Sequence, residues 1–534
     1  MFPGATAMEY CDQAPLRRDQ ILLFSPTLDE SIGDDHPVRL LDEILCVQNW
    51  SDWEVEYDGT RGRPPIPPRI MAGVILYGLM RGIRSSRILE YLCRHSLDYI
   101  WLVEGRTIDY STLCRFRTRF RKPLKGLFRE VGRLAMRMGL VRLLEVAFDG
   151  TRVKANASRF HTWTAEKLQS ALKELEALFE QALAESERAD AASREAETAS
   201  PAALPVELAT APARRAKLQE LLAEAQAADE ARRGRGVDSP KKPVQFPQAD
   251  PDATVMPNKE GGYAPNYTPL AATDGQAGLI VDCDVVAEPH EESQTLATVD
   301  RIQENFGCKP AKFLADTQHG TGENLSGMEQ RQVEFFTPVE ASQPADGNPA
   351  RREDPRQAVA EADWPKLPRN GRKRLAKSCF VYDEPTDCYY CPLGRVLRAE
   401  EMREEQRNAA TAKIRVYRCH DCANCPLAAV CRDPNAKRGR TVQRDQYEPS
   451  RERMARKMNS PEGQATYARR MHMAETPFGH IKWVMGVRQF LLRGLEKVRS
   501  EWLWVCTAYN LKKLLRHAVP LRAELVKMVA GAVS

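Results

Sequence analysis

The stretch that decides the fold is VAFDGTRVKANAS, residues 146–158. An apolar start is followed by Asp149-Gly150 and then by polar residues, which is typical of a buried strand that ends in a carboxylate. FLADTQHG, residues 313–320, repeats this pattern and ends its short apolar run at Asp316. Open sheets bind ligands beyond the carboxyl ends of their strands. We therefore expect Asp149 and Asp316 at the ligand-binding edge of a mixed α/β sheet.

The segment between these two carboxylates predicts the rest of that sheet. YAPNYTPLAATDG and AGLIVDCDVVAE are strand-like runs on either side of Asp274-Gly275, a dipeptide typical of tight hairpins. SQTLATVDRIQENFG has helical periodicity, and VEFFTPV, residues 333–339, predicts a further strand. Residues 163–235 are rich in Ala, Glu and Leu and predict two helices that form an antiparallel hairpin inserted into the sheet. This insertion either packs against a second subunit or elaborates the surface.

Residues 1–140 predict an all-α N-terminal domain. IMAGVILYGLMRG and SRILEYLCRH place apolar residues three and four apart, and residues 61–125 hold 14 basic and four acidic residues. The basic helix that follows Asp109 is our candidate for DNA contact, while a solvated helix face is the alternative reading. The candidate DNA-binding residues of this helix are Arg115, Arg117, Arg119 and Lys122.

Seven of the 14 cysteines lie between residues 379 and 431. Two Cys-x2-Cys pairs, Cys388/Cys391 and Cys419/Cys422, have the spacing of a structural zinc site. We expect them to fold a small cysteine-rich insertion at residues 376–435, with reduced buried thiols as the alternative. The spare candidate ligands are Cys379, Cys425, Cys431 and His420.

Composition limits the remaining classes of protein. The chain has 534 residues, 43% hydrophobic content and a net charge of +5, which favours a multidomain globular protein over a disordered one. It has no apolar run of about 18 residues and no secretory pattern at its start, so we expect a cytoplasmic protein without membrane contact.

The order of these motifs resembles bacterial insertion-sequence transposases of the DDE type. The resemblance rests on VAFDGTRVKANAS, NYTPLAATDGQAGLIVDCDVVAEPHEE, FLADTQHGTGENL and ETPFGHIKWVMGVRQF, the last beginning at Glu475. It implies a ribonuclease-H-like catalytic domain at residues 141–340 and 441–520. It also implies that Asp149, Asp316 and Glu475 are catalytic and hold two Mg²⁺ or Mn²⁺ ions. Isolated carboxylates of this kind are otherwise more often turn formers, caps or solvated groups.

The same resemblance suggests further DNA-binding residues. Lys482 follows Glu475 by seven residues, which is two helical turns, so both side chains share a face if the helix is continuous. Tyr467 and Arg470 are the nearest matches to the remaining members of a Tyr, Arg, Glu, Lys signature, although Arg470 precedes Glu475 by one residue more than in the family. His319 stands where many relatives have Tyr and is interpreted as a polar loop residue.

The resulting hypothesis is a transposase that cleaves DNA at the ends of its element and joins them to target DNA. Its partners would be terminal inverted repeats and target DNA, and bringing two ends together implies a homodimer or larger assembly on DNA in the nucleoid. Two alternatives stay open: a catalytically inactive or regulatory DNA-binding relative, and a nuclease without strand transfer.

Overall fold

The computed structural model describes nine parts of the chain. They are residues 27–55, 65–193, 211–234, 245–258, 261–340, 342–407, 410–433, 436 and 438–518. Residues 1–26 and the linker at 235–244 lie outside them, and so does the segment between the two helices of the predicted insertion, residues 194–210.

Most of the described helices lie near the two ends of the chain or in the predicted insertion, and two more follow strands of the large sheet. Pro68–Met80 begins with a proline in its first turn, where the missing N–H costs nothing, and it is buried on nearly all sides. No helix in the described ranges is long and apolar enough to cross a bilayer. The α-helices are Pro37–Cys46, Ser51–Glu54, Pro68–Met80, Ser86–His95, Leu97–Leu102, Tyr110–Arg119, Arg121–Arg137, Ala165–Ser193, Ala211–Gly234, Thr295–Phe306, Gly322–Gln330, Ala428–Cys431, Glu448–Asn459, Pro461–Ala468, Arg470–Gly479 and Leu495–Ala518.

The strands form a large mixed sheet, a five-stranded sheet and a short two-stranded pair. In chain order they are β1 (Glu145–Gly150), β2 (Val153–Lys154), β3 (Thr162–Trp163), β4 (Phe246–Pro247), β5 (Thr254–Pro257), β6 (Tyr263–Asp274), β7 (Ile280–Val286), β8 (Lys312–Leu314), β9 (Glu334–Phe336), β10 (Val381–Asp383), β11 (Cys388–Tyr390), β12 (Val396–Arg407), β13 (Ala410–Cys419) and β14 (Thr441–Asp445).

The large sheet has the spatial order β7-β6-β1-β8-β9, and β2 and β5 also pair with β6. β6 runs antiparallel to its two neighbours β7 and β1, whereas β1, β8 and β9 are parallel. β6 and β7 form the expected hairpin, and the Asp274 carboxylate caps its turn by accepting N–H bonds from Gln276 and Leu143. The predicted strands of residues 141–160 and 262–340 are therefore present, and β1 lies in the middle of the sheet.

The N-terminal helices share one hydrophobic core with this sheet. The long helix Leu495–Ala518 packs against Pro68–Met80, Arg121–Arg137 and β7, and so joins both ends of the chain. Trp53 stacks on Phe116 and Phe120, with ring centroids 5.6 and 5.3 Å apart, and Trp504 from the long helix packs on the same cluster. Burial of these large rings ties the basic N-terminal helix to the sheet.

Two further units extend from the sheet. Ala165–Ser193 and Ala211–Gly234 pack together through leucines such as Leu168, Leu172 and Leu221, as expected of the predicted helical hairpin. The cysteine-rich region forms the antiparallel sheet β10-β11-β12-β13-β14, which is larger than the predicted knuckle because it extends through residue 445. It has its own core around Phe380, Tyr389 and Tyr417.

Candidate active site

Asp149 lies at the carboxyl end of the central strand. Val146, Ala147 and Phe148 before it are buried, and they fix β1 between β6 and β8. The Asp149 carboxylate accepts the Gly150 N–H at 2.9 Å, and its Oδ2 lies 3.3 Å from Nη2 of Arg470. The central strand therefore delivers one carboxylate to the edge of the sheet, next to a guanidinium.

Asp316 follows the neighbouring parallel strand β8. It caps the short 3-10 turn Thr317–His319 by accepting the Gln318 N–H at 2.9 Å. Parallel neighbours end on the same side of a sheet, so Asp316 and Asp149 belong to the same edge. Both carboxylates affect the pKa of Tyr467. Burial raises this pKa, the charge of Arg470 lowers it, and the charges of Asp316 and Asp149 raise it further.

Glu475 and Lys482 meet Asp149 across a cavity of about 490 Å³. Glu475 is exposed on Arg470–Gly479, which contains Pro477 and passes directly into a π-helical turn, His480–Val484. Lys482 lies in that turn and donates to Thr151 Oγ1 at 2.5 Å and to the Arg152 carbonyl at 2.9 Å. Glu475 and Lys482 therefore line the same cavity, as expected, although Pro477 and a change from α-helix to π-helix lie between them.

Tyr467 and Arg470 also reach this site despite the extra residue before Glu475. Tyr467 belongs to Pro461–Ala468, and a turn at Arg469 separates that helix from the next one, which begins at Arg470. The helix break takes up the additional residue. The Arg470 side chain is only 12% exposed, and it faces both Asp149 and Tyr467.

Sequence reasoning missed Trp483 and gave His319 too little weight. Trp483 lines the cavity with its side chain 66% exposed, and the Arg488 guanidinium lies 3.7 Å from its ring centroid. An exposed Trp in a cavity is the available signal, but exposure cannot be inferred from a single sequence. His319 is completely buried, with Nδ1 2.8 Å from Thr295 Oγ1 and Nε2 3.7 Å from Asp316 Oδ1. Its burial lowers its pKa to about 4.

The donors suit a divalent cation by type, but they are not gathered into a finished metal centre. Among the described residues, no three His, Cys, Asp or Glu side chains are grouped so that they could hold one ion. Asp149, Asp316 and Glu475 supply the carboxylate oxygens that Mg²⁺ and Mn²⁺ prefer. The buried Nε2 of His319 has no hydrogen-bond partner and faces Asp316, so a donor atom beside the carboxylates is left for a cation.

The cysteines of the five-stranded sheet differ in their contacts. All cysteines in the described ranges are free thiols. The Cys388 sulfur lies 3.0 Å from Thr386 Oγ1, and Cys422 accepts the Arg440 N–H at 3.4 Å. The pKa of Cys431 rises to about 12, mainly through burial, and nearby Cys391, Cys422 and Cys425 contribute through their charge. The pKa of Cys419 also rises to about 12, through burial and neighbouring Cys422.

The basic segment after Asp109 forms two helices, Tyr110–Arg119 and Arg121–Arg137, that are separated at Phe120, where a single helix was expected. Arg115, Arg119 and Lys122 are exposed. Arg117 instead donates to the Arg84 carbonyl at 2.6 Å, and burial lowers its pKa. Arg117 therefore makes contacts within the fold. The exposed DNA-binding candidates are Arg115 and Arg119 on Tyr110–Arg119, and Lys122 on Arg121–Arg137.

Two family models match the chain. A transposase DDE domain matches residues 390–515, and a transposase domain (DUF772) matches residues 26–119. The first match includes Glu475 and Lys482, whereas Asp149 and Asp316 precede it. No curated protein matches the chain. Both models describe transposase domains, which imply a transposase function and suggest DNA as a partner. Together they indicate an insertion-sequence transposase of the DDE type, a family that uses divalent metal ions in general.

Proposed function

We propose that the protein cleaves DNA at the ends of an insertion element and transfers the freed strands to target DNA. Asp149, Asp316 and Glu475 form the catalytic set. The observation that carries this proposal is the cavity shared by Asp149, Glu475 and Lys482, with Asp316 on the adjacent parallel strand. The strand order β7-β6-β1-β8-β9, with three antiparallel strands followed by two parallel ones, supports a ribonuclease-H-like catalytic domain.

The three carboxylates would hold Mg²⁺ or Mn²⁺, which lower the pKa of an attacking water and stabilise the leaving oxygen of a phosphodiester. The residues of the chain supply the positioning. Lys482 is fixed by Thr151 and the Arg152 carbonyl, so its ammonium group can bind a DNA phosphate beside the carboxylates. The Trp483 ring, over which the Arg488 guanidinium lies, can stack on an unpaired base at the end of a DNA strand.

The alternatives differ in their products. Purified protein would be incubated with labelled element-end DNA, target DNA and Mn²⁺. The proposed function predicts nicked ends and joined products with the wild type, and loss of both with Asp149→Asn, Asp316→Asn or Glu475→Gln. Asp52→Asn, an exposed change far from the cavity, is the matched control. Nicking without joining would indicate a nuclease, and DNA binding without either product would indicate a regulatory relative.

The exposed basic residues of Tyr110–Arg119 and Arg121–Arg137 suit recognition of the terminal repeats. Arg115, Arg119 and Lys122 provide three cations for the DNA backbone. Replacing any one of them by Gln should weaken binding to all sequences and reduce the salt dependence of the affinity by about one unit of slope. Joining two element ends further implies that two or more copies assemble on DNA. Light scattering of the protein with and without paired end DNA tests that assembly.

We also propose that the cysteine-rich sheet binds a structural zinc ion. The predicted ligands are Cys388, Cys391, Cys419 and Cys422. The contact of Cys388 with Thr386 favours Cys425 or Cys431 in its place, since both lie in the group of interacting thiols. A closed shell of four thiolates leaves no position for water, so this ion would stabilise the fold and take no part in cleavage.

A further inference from the structure

We infer that His319 is a nitrogen ligand for the divalent ion held by Asp316. The inference rests on the proposed metal-dependent function and adds a donor of a different chemical type to its three carboxylates. It starts from the position of the ring: the His319 side chain is 1% exposed, Phe148 meets it edge-on at 5.2 Å, and Nε2 lies 3.7 Å from Asp316 Oδ1.

The hydrogen bonds on the other side of the ring assign its tautomer. Thr295 Oγ1 lies 2.8 Å from His319 Nδ1, and the Thr295 hydroxyl donates to the Glu292 carbonyl at 2.9 Å. Asn324 Nδ2 donates to the same Thr295 oxygen at 3.1 Å. With the hydroxyl proton donated to the Glu292 carbonyl, Thr295 accepts from His319. The proton of the neutral ring is therefore on Nδ1, and Nε2 carries a lone pair.

That lone pair has no hydrogen-bond partner within the fold. Nε2 is buried without one, and 3.7 Å is too long for a hydrogen bond to the Asp316 carboxylate. A buried lone pair that faces a carboxylate oxygen is unfavourable unless a cation or a proton lies between them, and the Asp316 side chain, 36% exposed, is accessible to an ion. The Glu292 side chain adds a second buried acceptor nearby, because its Oε2 also lacks a hydrogen-bond partner.

The surrounding network resembles the support of a metal-bound histidine. Such ligands usually donate their second ring N–H to a protein acceptor, which fixes the tautomer and the ring orientation. Thr295 fills this role and is itself held by Asn324 and the Glu292 carbonyl. Among the described residues, no third His, Cys, Asp or Glu side chain is grouped with His319 and Asp316.

Nitrogen ligation predicts a particular metal preference. Mg²⁺ favours oxygen donors, whereas ions later in the first transition series accept imidazole readily. His319→Gln should therefore weaken Mn²⁺ and Co²⁺ binding by about tenfold or more and Mg²⁺ binding by much less. Isothermal titration calorimetry of the full chain without DNA measures the affinity of the wild type and of the variant for each of the three ions. An equal loss for all three ions would contradict nitrogen ligation.

The decisive measurement is pulsed electron paramagnetic resonance of Mn²⁺ bound to the full chain. We expect ¹⁴N coupling in the wild type, and its loss in His319→Gln with Mn²⁺ still bound. His517→Gln, exposed on Leu495–Ala518, is the matched control and should keep the coupling. His472→Gln tests the exposed histidine nearest Glu475. If that change abolishes the coupling while His319→Gln keeps it, the inference is wrong.

A second measurement remains informative even if His319→Gln does not fold. ¹⁵N-histidine spectra of the metal-free wild type should show a neutral ring protonated at Nδ1, and Thr295→Val should disturb that signal. A ring protonated at Nε2 overturns the inference. Failure of the proposed function looks different: Mn²⁺ would then not bind, or its binding would be unaffected by Asp149→Asn and Asp316→Asn.

Discussion

The guanidinium of Arg470 lies 3.3 Å from Oδ2 of Asp149, with both side chains mostly buried. This contact places a positive charge beside the central carboxylate, where the proposed function needs a divalent cation. Two cations cannot share that position without repulsion, and a nearby fixed charge acts strongly in a partly buried site. Arg470 is therefore expected to compete with the ion while the protein is free of DNA, and to move towards a DNA phosphate in the complex.

Arg470→Gln should accordingly raise the affinity of DNA-free protein for Mn²⁺ several-fold and weaken binding to element-end DNA. Isothermal titration measures the first effect and a gel-shift titration the second. Arg469→Gln is the matched control, because its neighbouring guanidinium pairs with Glu145 away from the catalytic set. Weaker Mn²⁺ binding in Arg470→Gln would instead show that Arg470 organises the carboxylates.

Trp483 should contribute to DNA affinity through stacking. Its exposed ring and the adjacent Arg488 lie on the cavity that holds Asp149 and Glu475. Loss of one base–aromatic stack costs about 1–3 kcal/mol, so Trp483→Ala should weaken binding to element ends with a single-stranded overhang by about 5- to 150-fold. Fluorescence anisotropy with such DNA measures the change.

The control for that experiment is Phe160→Ala. Phe160 is 75% exposed and has the Arg159 guanidinium over its ring, but it does not line the cavity. It should leave the affinity unchanged. Equal losses from both substitutions would mean that exposed aromatic residues bind DNA without reference to the active site.

Stability should fall in mild acid partly because of His480. Burial, together with the charges of Lys512, Arg516 and Lys513, lowers the pKa of His480 from its ordinary value of 6.5 to about 4. Between these two values the unfolded chain binds a proton that the folded protein does not. The contribution of His480 is thus complete above about pH 6.5 and is lost as the pH falls towards 4.

His480→Gln should therefore flatten the decrease in thermal stability between pH 7 and pH 5. Thermal unfolding across that range tests it, with the exposed His95→Gln as the control. Because His480 is only partly buried, solvent screening keeps the expected change small. A pH profile of His480→Gln that superimposes on the wild-type profile would refute this role.

The strands of the large mixed sheet could be predicted from the sequence because their signals are local. Asp274-Gly275 marks the β6–β7 hairpin, and apolar runs before Asp149 and Asp316 mark two strand ends. The sheet at residues 381–445 was not predicted. Its strand VLRAEEMREEQR, residues 396–407, is made largely of helix-forming charged residues, and pairing with β13 overrides that preference.

The details of the site depended on contacts distant in sequence. Arg470 precedes Glu475 by one residue more than in the family, and the helix break at Arg469 accommodates this additional residue. His319 was interpreted as a polar loop residue because a single motif does not reveal burial. Its environment comes from Thr295 and Asn324, which lie on two different helices. Such convergence is a property of packing, which a linear pattern does not encode.

The last prediction concerns zinc. Native protein purified without chelators should contain about one zinc per chain, and chelation should unfold the cysteine-rich sheet because the binding energy of a structural ion contributes to folding. Cys391→Ser and Cys422→Ser should each remove the metal, whereas the exposed Cys46→Ser should keep it. Elemental analysis and thermal unfolding measure both effects.

The same series separates the possible ligand sets. Retained zinc in Cys388→Ser together with loss in Cys425→Ser or Cys431→Ser would replace the predicted set by one centred on Cys391 and Cys422. Such a result agrees with the contact that the Cys388 sulfur makes with Thr386 Oγ1. In this structure no three of the described cysteines are grouped for one ion, so zinc binding must draw the thiols together. Native protein without zinc would instead identify them as buried reduced thiols that stabilise this sheet by packing alone.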